Sequence, residues 1–110
     1  MTDGSLDPLL VDPTRLSVVS VLSSARWAEF AFVRDTVGLT DSALSKQVAK
    51  LEDRGHVEVK RGYVGKRPRT WLNLTDTGRT ALQRHARALQ DIVAASRTAG
   101  EGHDPSPAPG

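Results

Sequence analysis

The sequence predicts an α+β fold that is mainly α with a small β-hairpin. Three observations predict it: four segments repeat apolar residues at helical spacing, two short segments between the third and fourth alternate apolar and polar residues, and the chain has 110 residues without cysteine. That length gives room for one domain with a modest core. Without cysteine, disulfides, thiolate metal sites and thiol nucleophiles are excluded on chemical grounds.

The first helix is predicted from its start signal. After a short apolar arm, Asp12 and Pro13 have the character of an N-cap and a first helical residue. Apolar residues then recur at helical spacing from Leu16 to Leu22. The β-branched middle of this segment is also compatible with a strand, but the start signal favours a helix.

The second helix and its exit follow a brief extended segment around Trp27. Apolar residues recur at helical spacing from Phe30 to Val37. Gly38 can end this helix in the left-handed conformation, and the Thr40 hydroxyl can cap the next helix. The three-residue link fits a helix-turn-helix connection.

The third helix, over residues 41–54, has the clearest boundaries. Leu44, Val48 and Leu51 form its predicted buried stripe, and Gly55 follows as a C-cap. The opposite face is small, hydroxylic and basic. It consists of Ser42, Ser45, Lys46, Ala49, Lys50 and Asp53.

Two half-buried antiparallel strands are predicted after the third helix. Val57 and Val59, and then Leu72 and Leu74, alternate with polar neighbours. Residues 62–68 are predicted to form the loop that joins the two strands.

This connection carries a local concentration of positive charge. Five cations and no acid lie within ten residues: Lys60, Arg61, Lys66, Arg67 and Arg69. Because the whole chain has a net charge of only +2, the remainder is net negative by three. Gly62 and Gly65 permit a turn and Pro68 stiffens it, so the loop is predicted to present its cations on a projection.

A long fourth helix and a tail complete the predicted fold. Thr75 is the predicted cap, Gly78 in the first turn is expected to pack closely on the third helix or a strand, and an apolar stripe continues to about Arg97. At ~1.5 Å per residue this helix is roughly 30 Å long, so part of it is expected to meet another subunit.

From Gly100 onward the composition predicts a disordered tail. The predicted organisation is an N-terminal arm (1–11), a domain that includes the long helix (12–97) and the tail (98–110).

Two stretches resemble a known family. Residues 39–58 closely resemble the recognition-helix region of small bacterial winged-helix regulators, and residues 67–79 resemble the same proteins. Together they resemble short, single-domain winged helix-turn-helix transcriptional regulators of the MarR and ArsR type over about residues 9–93. The resemblance implies a homodimer, formed through the long C-terminal helix, that binds a two-fold-related DNA site. Zinc sensing of the ArsR type does not transfer, because cysteine is absent, and little chain is left to build the effector pocket of larger MarR proteins.

Sequence-specific DNA binding is the leading hypothesis. The candidate DNA-binding residues are Thr40, Ser42, Ala43, Ser45, Lys46, Lys50, Lys66, Arg67 and Arg69. The helix would enter a major groove, while Arg67 would insert into a minor groove and Arg69 would contact a phosphate. The alternatives are a solvated helix surface and a basic hairpin that only protects a sheet edge.

The expected partners are double-stranded DNA and a second copy of the chain. The candidate dimerisation residues are Leu9, Leu82, Ala86, Leu89, Ile92 and Val93. A winged-helix protein–protein interaction module is the competing function, and RNA binding is a third. No cofactor, metal or membrane is implied, the expected location is cytoplasmic, and an effector ligand stays open.

The remaining aromatic and titratable residues are interpreted as packing groups. Trp27, Tyr63 and Trp71 are scattered, so they are expected in the core or a subunit contact rather than in nucleobase stacking. His56 and His85 are far apart in sequence and are expected to be satisfied surface or interface residues, not metal ligands. No cluster of titratable residues indicates catalysis, so an enzyme is not expected.

Overall fold

The computed structural model describes residues 6–103 and residue 107, and it confirms the predicted α+β fold. The elements are α1 (Pro13–Leu22), β1 (Ala28–Glu29), α2 (Phe30–Val37), α3 (Asp41–Asp53), β2 (Val57–Val64), β3 (Arg67–Leu74) and α4 (Asp76–Gly102). Residues 1–5 of the predicted arm, and residues 104–106 and 108–110 of the predicted tail, lie outside the described residues. No helix among residues 6–103 is both long enough and apolar enough to span a membrane.

The three strands form an antiparallel sheet in the order β1-β3-β2. Strands β2 and β3 pair along their whole length, from Val57 opposite Leu74 to Val64 opposite Arg67. Only Gly65 and Lys66 remain between the strands, and Gly65 has a φ of +63°. The predicted loop over residues 62–68 was therefore wrong: most of it is strand, because backbone pairing continues beyond the apolar alternation that marked the strands.

One hydrophobic core lies where the helices pack on one face of the sheet. The apolar stripes predicted for the first three helices, the start of the α4 stripe and the strand residues predicted to face inward contribute to it. Its buried members are Leu10, Val18, Val19, Leu22, Ala28, Val33, Leu44, Val48, Leu51, Val57, Leu72 and Leu74. The outer face of the hairpin, which carries Lys60 and Trp71, contributes no residue to this core.

The predicted helix starts are formed by side-chain caps. The Asp12 carboxylate accepts a hydrogen bond from the Thr14 amide at 2.7 Å, with Pro13 as the first helical residue of α1. The Thr40 hydroxyl accepts from the Ala43 amide at 3.1 Å and so caps α3. These bonds satisfy amides that have no partner within their own helix, which fixes where each helix begins.

Helix α4 is longer than predicted. It ends at Gly102 rather than near Arg97, so the first residues assigned to a disordered tail are helical. Only Gly78, His85 and Ala88 are buried, and every residue from Leu89 to Gly102 is exposed. The second half of α4 therefore projects beyond the core of its own protomer.

Candidate DNA-binding surface

The helix-turn-helix link fixes the N-terminus of α3. Gly38 ends α2 with a φ of +80°, in the left-handed region that glycine adopts without a Cβ clash. Arg34 on α2 contacts both Asp35 and Asp41, each at 2.8 Å. These hydrogen bonds raise the pKa of Arg34, and the bond from Arg34 lowers the pKa of Asp35. Because both aspartates are exposed, the pairs orient α3 more than they stabilise the fold.

The outer ridge of α3 carries the candidate base-reading residues. Ser42 and Lys46 are exposed on the side opposite the buried stripe, whereas Ala43 is only partly exposed. Ser45 is exposed on the flank that faces the hairpin. Lys50 is exposed on the other flank. Hydrogen bonds from the Thr14 and Arg15 amides lower the pKa of Asp12, and the positive charge of Lys50 adds to this shift. The predicted residues thus cover the ridge and both flanks of the helix.

Arg61 on β2 faces this helix, and the sequence prediction did not include it. Side chains alternate across a strand, so Val59, Arg61 and Tyr63 share the face that packs toward α3. Arg61 lines a groove together with Ser45 of α3. Tyr63, 72% exposed, is farther along the same face and outside the core, contrary to the expectation of packing. The five-cation cluster did contain Arg61, but only the strand register reveals its direction.

The other hairpin cations point to the outer face of the sheet or to its tip. The Lys60 Nζ atom lies 5.7 Å from the centre of the Trp27 ring, on the face that also carries Trp71. The Arg69 Nε atom lies 3.4 Å from a carboxylate oxygen of Glu29 on β1. Arg67 is exposed where the hairpin ends. Lys66 is exposed in the turn itself.

Arg15 connects α1 to α3. Its Nε atom donates to the Leu9 carbonyl at 2.7 Å, and its Nη1 atom donates to Oε1 of Gln47 at 3.1 Å. The Arg15 side chain is only 14% exposed, so these bonds are shielded from water. The arm, α1 and α3 are thereby held together on the flank of α3 that lies away from the hairpin.

The two histidines are buried, so the expectation of surface or interface positions was wrong. His56 is 8% exposed and His85 is 1% exposed. Both contact Asp7 of the N-terminal arm. The error arose because Asp7 is distant from both in sequence, and no local pattern marks the contact.

The candidate dimerisation residues divide into two groups. Leu9 and Leu82 are partly buried and pack against the core of the protomer. Ala86, Leu89, Ile92 and Val93 are exposed, the last three by 39%, 50% and 55%. Leu89, Ile92 and Val93 continue the stripe of α4 that Leu82 and His85 begin, beyond the point where the core ends.

Comparison with known proteins places the chain in a family. The family model of the winged helix DNA-binding domain matches residues 14–93. An uncharacterized protein of Methanocaldococcus jannaschii is 30% identical over 71 residues, which cover 64% of this chain and 77% of that protein. The chain therefore belongs to the winged helix DNA-binding domain family.

Solved structures agree with this assignment. A transcriptional regulator homologue of Pyrococcus horikoshii is similar with a TM-score of 0.73 and 28% identity, covering 79% of this chain and 86% of that one. The PcaV transcriptional regulator of Streptomyces coelicolor, solved with its natural ligand, has a TM-score of 0.64 and 26% identity over 82% of this chain and 65% of its own. The transcriptional regulator MosR of Mycobacterium tuberculosis, solved with DNA, shares the fold with a TM-score of 0.65 and 24% identity, covering 89% of this chain and 69% of its own.

These relationships define the class of protein. The chain is a DNA-binding transcriptional regulator, and its structural neighbours include transcriptional regulators at 26–28% identity. This is a non-enzymatic class.

Proposed function

We propose that the chain acts as a homodimer that binds a two-fold-related DNA site, with α3 in the major groove and the hairpin on the adjacent minor groove and backbone. The observation that carries this proposal is the juxtaposition of Ser45 on α3 with Arg61 on β2 in one open groove. The ridge of α3 and the inner face of the hairpin therefore border one continuous surface. Because the proposed partner is genomic DNA, we expect the protein in the cytoplasm.

The side chains on this surface have the chemistry that each contact requires. Ser42 and Lys46 lie within the first two turns of α3, where a recognition helix usually meets base edges. Ser45 is a further candidate on the hairpin flank, whereas Lys50 suits a phosphate. Asp53 is exposed near the end of α3, so we expect that end to lie away from the phosphates.

The hairpin supplies the second set of proposed contacts. Arg67 is the candidate for minor-groove insertion because its guanidinium is exposed at the tip. Lys66 is beside it in the turn, and Arg61 adds a cation on the side of α3. For Arg69, binding a phosphate competes with its contact to Glu29.

The exposed stripe of α4 supports dimerisation. Leu89, Ile92 and Val93 are large apolar residues on a part of α4 that no core of its own protomer covers. Packing two such stripes together would remove this apolar surface from water at roughly 25 cal/mol per Å². A dimer would place two copies of α3 for half-sites about one helical turn of DNA apart.

Selection of bound fragments from genomic DNA tests the proposal. The expected result is an enriched two-fold-related site, with affinity that falls steeply as salt increases because cations on the protein displace counterions from phosphates. An affinity that is insensitive to salt, or no enriched sequence, would contradict it.

Charge reversal separates DNA binding from a protein-interaction role. Lys50→Glu and Arg67→Glu should each abolish or greatly weaken DNA retention while dimerisation persists. Arg87→Glu is the matched control, since it makes the same charge change on the solvent side of α4. If the first two variants retained DNA and instead lost a protein partner, the interaction-module alternative would replace this proposal.

A further inference from the structure

The N-terminal arm is fastened to the domain at Asp7. Leu10 of the arm is fully buried, and Asp7 lies between two histidines that are 49 and 78 residues away in sequence. His56 follows α3 after Gly55, and His85 is on α4. One arm residue therefore joins the exit of the recognition helix to the long C-terminal helix.

The partners of His56 define its charge state. Its Nε2 atom lies 2.9 Å from Oδ2 of Asp7, and its Nδ1 atom lies 3.2 Å from the carbonyl oxygen of Arg54. Both partners only accept hydrogen bonds when Asp7 is ionised. An imidazole can donate from both nitrogens only when it is protonated. His56 is thus best satisfied as an imidazolium that is paired with a carboxylate.

The partner of His85 defines the opposite state. The backbone amide of Asp7 donates to Nδ1 of His85 at 2.9 Å. This nitrogen must carry a lone pair, so His85 is neutral with its proton on Nε2. If Nδ1 were protonated, its hydrogen would face the hydrogen of the Asp7 amide, and this repulsion would break the contact.

Asp7 is ionised, as its pairing with His56 requires. Partial burial acts to raise the pKa of its carboxyl, but hydrogen bonds from His56 and from the Leu9 amide outweigh burial and hold the pKa below its ordinary value. The other charged groups beside the arm are Asp76 and Arg84 of α4, which line the groove next to Asp7. Among the described residues, Arg84 makes no ion pair with Asp7 within 4.0 Å, whereas His56 does.

We propose that Asp7, His56 and His85 form a pH-sensitive latch, which holds the N-terminal arm most firmly while His56 is charged and His85 is neutral. Acidification breaks the latch at His85, and alkalinisation weakens it at His56. The two rings therefore respond to pH in opposite directions: His85 loses its contact on protonation, and His56 loses its contact to the Arg54 carbonyl on deprotonation.

Release of the arm would also affect α3 through Arg15, in addition to the contact of Asp7 with His56 at the end of that helix. The Leu9 carbonyl, two residues from Asp7, accepts from Arg15, and Arg15 also donates to Gln47 on α3. Loss of the Leu9 contact removes the bond that holds the Arg15 Nε atom, so only the 3.6 Å ion pair with Asp12 then keeps the Arg15 side chain beside Gln47. The consequence for DNA affinity rests on the proposed function, whereas the state of the latch does not.

NMR of the histidine ring nitrogens in the full chain tests the latch directly. Near neutral pH the expected result is protons on both nitrogens of His56 and on Nε2 alone of His85. On titration over about pH 5–9, amide shifts of residues 7–11 should move when either ring changes state. A neutral His56 at neutral pH, or a proton on Nδ1 of His85, would overturn the proposal.

Three variants separate the two halves of the latch. His85→Asn keeps an acceptor near the Nδ1 position but cannot be protonated, so the acid change in the arm should disappear. His56→Gln keeps a donor to Asp7 but no charge, so the alkaline change should disappear. His103→Gln is the control, because His103 is exposed at the end of α4 and should leave both changes intact.

DNA affinity supplies an independent measurement. On an enriched site, arm release at acidic pH should weaken binding of the unaltered chain by roughly fivefold or more, the lower end of usual coupling between sites. His85→Asn should remove this loss relative to His103→Gln. An unchanged loss in His85→Asn would overturn the latch, whereas the absence of DNA binding at every pH with the expected ring states would overturn only the proposed function.

Discussion

The α-carbon of Gly78 packs directly against the backbone carbonyl of His56. A Cβ at this position would overlap that oxygen and the Leu74 side chain. The same carbonyl accepts a hydrogen bond from the Thr75 amide at 3.0 Å, so it cannot easily move. The first turn of α4 therefore sits directly on the exit of α3, which confirms the expected close packing at Gly78.

Gly78→Ala is expected to destabilise the protein even though alanine favours a helix. The gain in helix propensity is about 1 kcal/mol, whereas forcing a methyl group against a fixed backbone costs roughly 1–3 kcal/mol or more. We expect a net loss, visible in thermal unfolding at about 4–8 °C per kcal/mol. Gly100→Ala is the control. A Cβ placed at Gly100 would have no described atom outside its own helix within 4 Å, so this change should be neutral or slightly stabilising.

Two adjacent cations on β2 should differ in their effect on DNA binding. Arg61 faces α3, whereas Lys60 lies over Trp27 on the outer face. Arg61→Gln is expected to weaken binding more than Lys60→Gln and to reduce the salt dependence by about one phosphate contact. Titrations of one DNA site at several salt concentrations measure both quantities. Equal effects would mean that only net charge matters and that the face is irrelevant.

Ile92→Asp should convert a dimer into monomers. Residue 92 is half-exposed on the stripe proposed to meet a second copy, and a buried carboxylate without a partner is costly. Sedimentation or light scattering over a range of concentrations gives the association constant. Gln83→Asp introduces the same group on an exposed turn away from the stripe and should leave association unchanged. Retention of the dimer by Ile92→Asp would exclude this face as the interface.

Arg15 and Gln47 should be coupled in DNA binding. Arg15→Met and Gln47→Ala each remove the contact between α1 and α3, so the double variant should lose less affinity than the sum of the single losses. Coupling of about 0.5–3 kcal/mol is typical of residues in contact. Unfolding free energies of the same three variants show whether the coupling is a property of overall stability or is specific to the position of α3 in DNA binding. Strict additivity in DNA binding would show that this contact does not position α3.

Sequence reasoning succeeded where a structure depends on neighbouring residues. The cap at Asp12, the left-handed exit at Gly38 and the cap at Thr40 each need only a few residues to form, and all three occur as predicted. The exposed ridge of α3 followed from the helical repeat in the same way. Local chemistry thus predicted α3, the helix that carries one of the two sets of proposed DNA contacts.

The predictions failed where a structure depends on distant pairing. The residues between Gly62 and Pro68 have no apolar alternation, and only pairing across the hairpin makes most of them strand. The faces of Lys60 and Arg61 depend on that register, which composition does not encode. The contacts of Asp7 with the two histidines are equally non-local, so no sequence pattern indicated that these rings are buried.

Only Gly65 and Lys66 join β2 to β3, so the number of residues in β2 decides which face of the sheet each of its side chains occupies. Deleting one residue from β2 between Val59 and Arg61 would shift the pairing by one and exchange the two faces beyond that point, turning Arg61 outward and bringing its neighbour in. Deleting two residues from β2 would shorten the hairpin but return the remaining side chains to their original faces. Related chains that share this architecture should therefore differ in hairpin length by pairs of residues, unless a bulge absorbs the odd one.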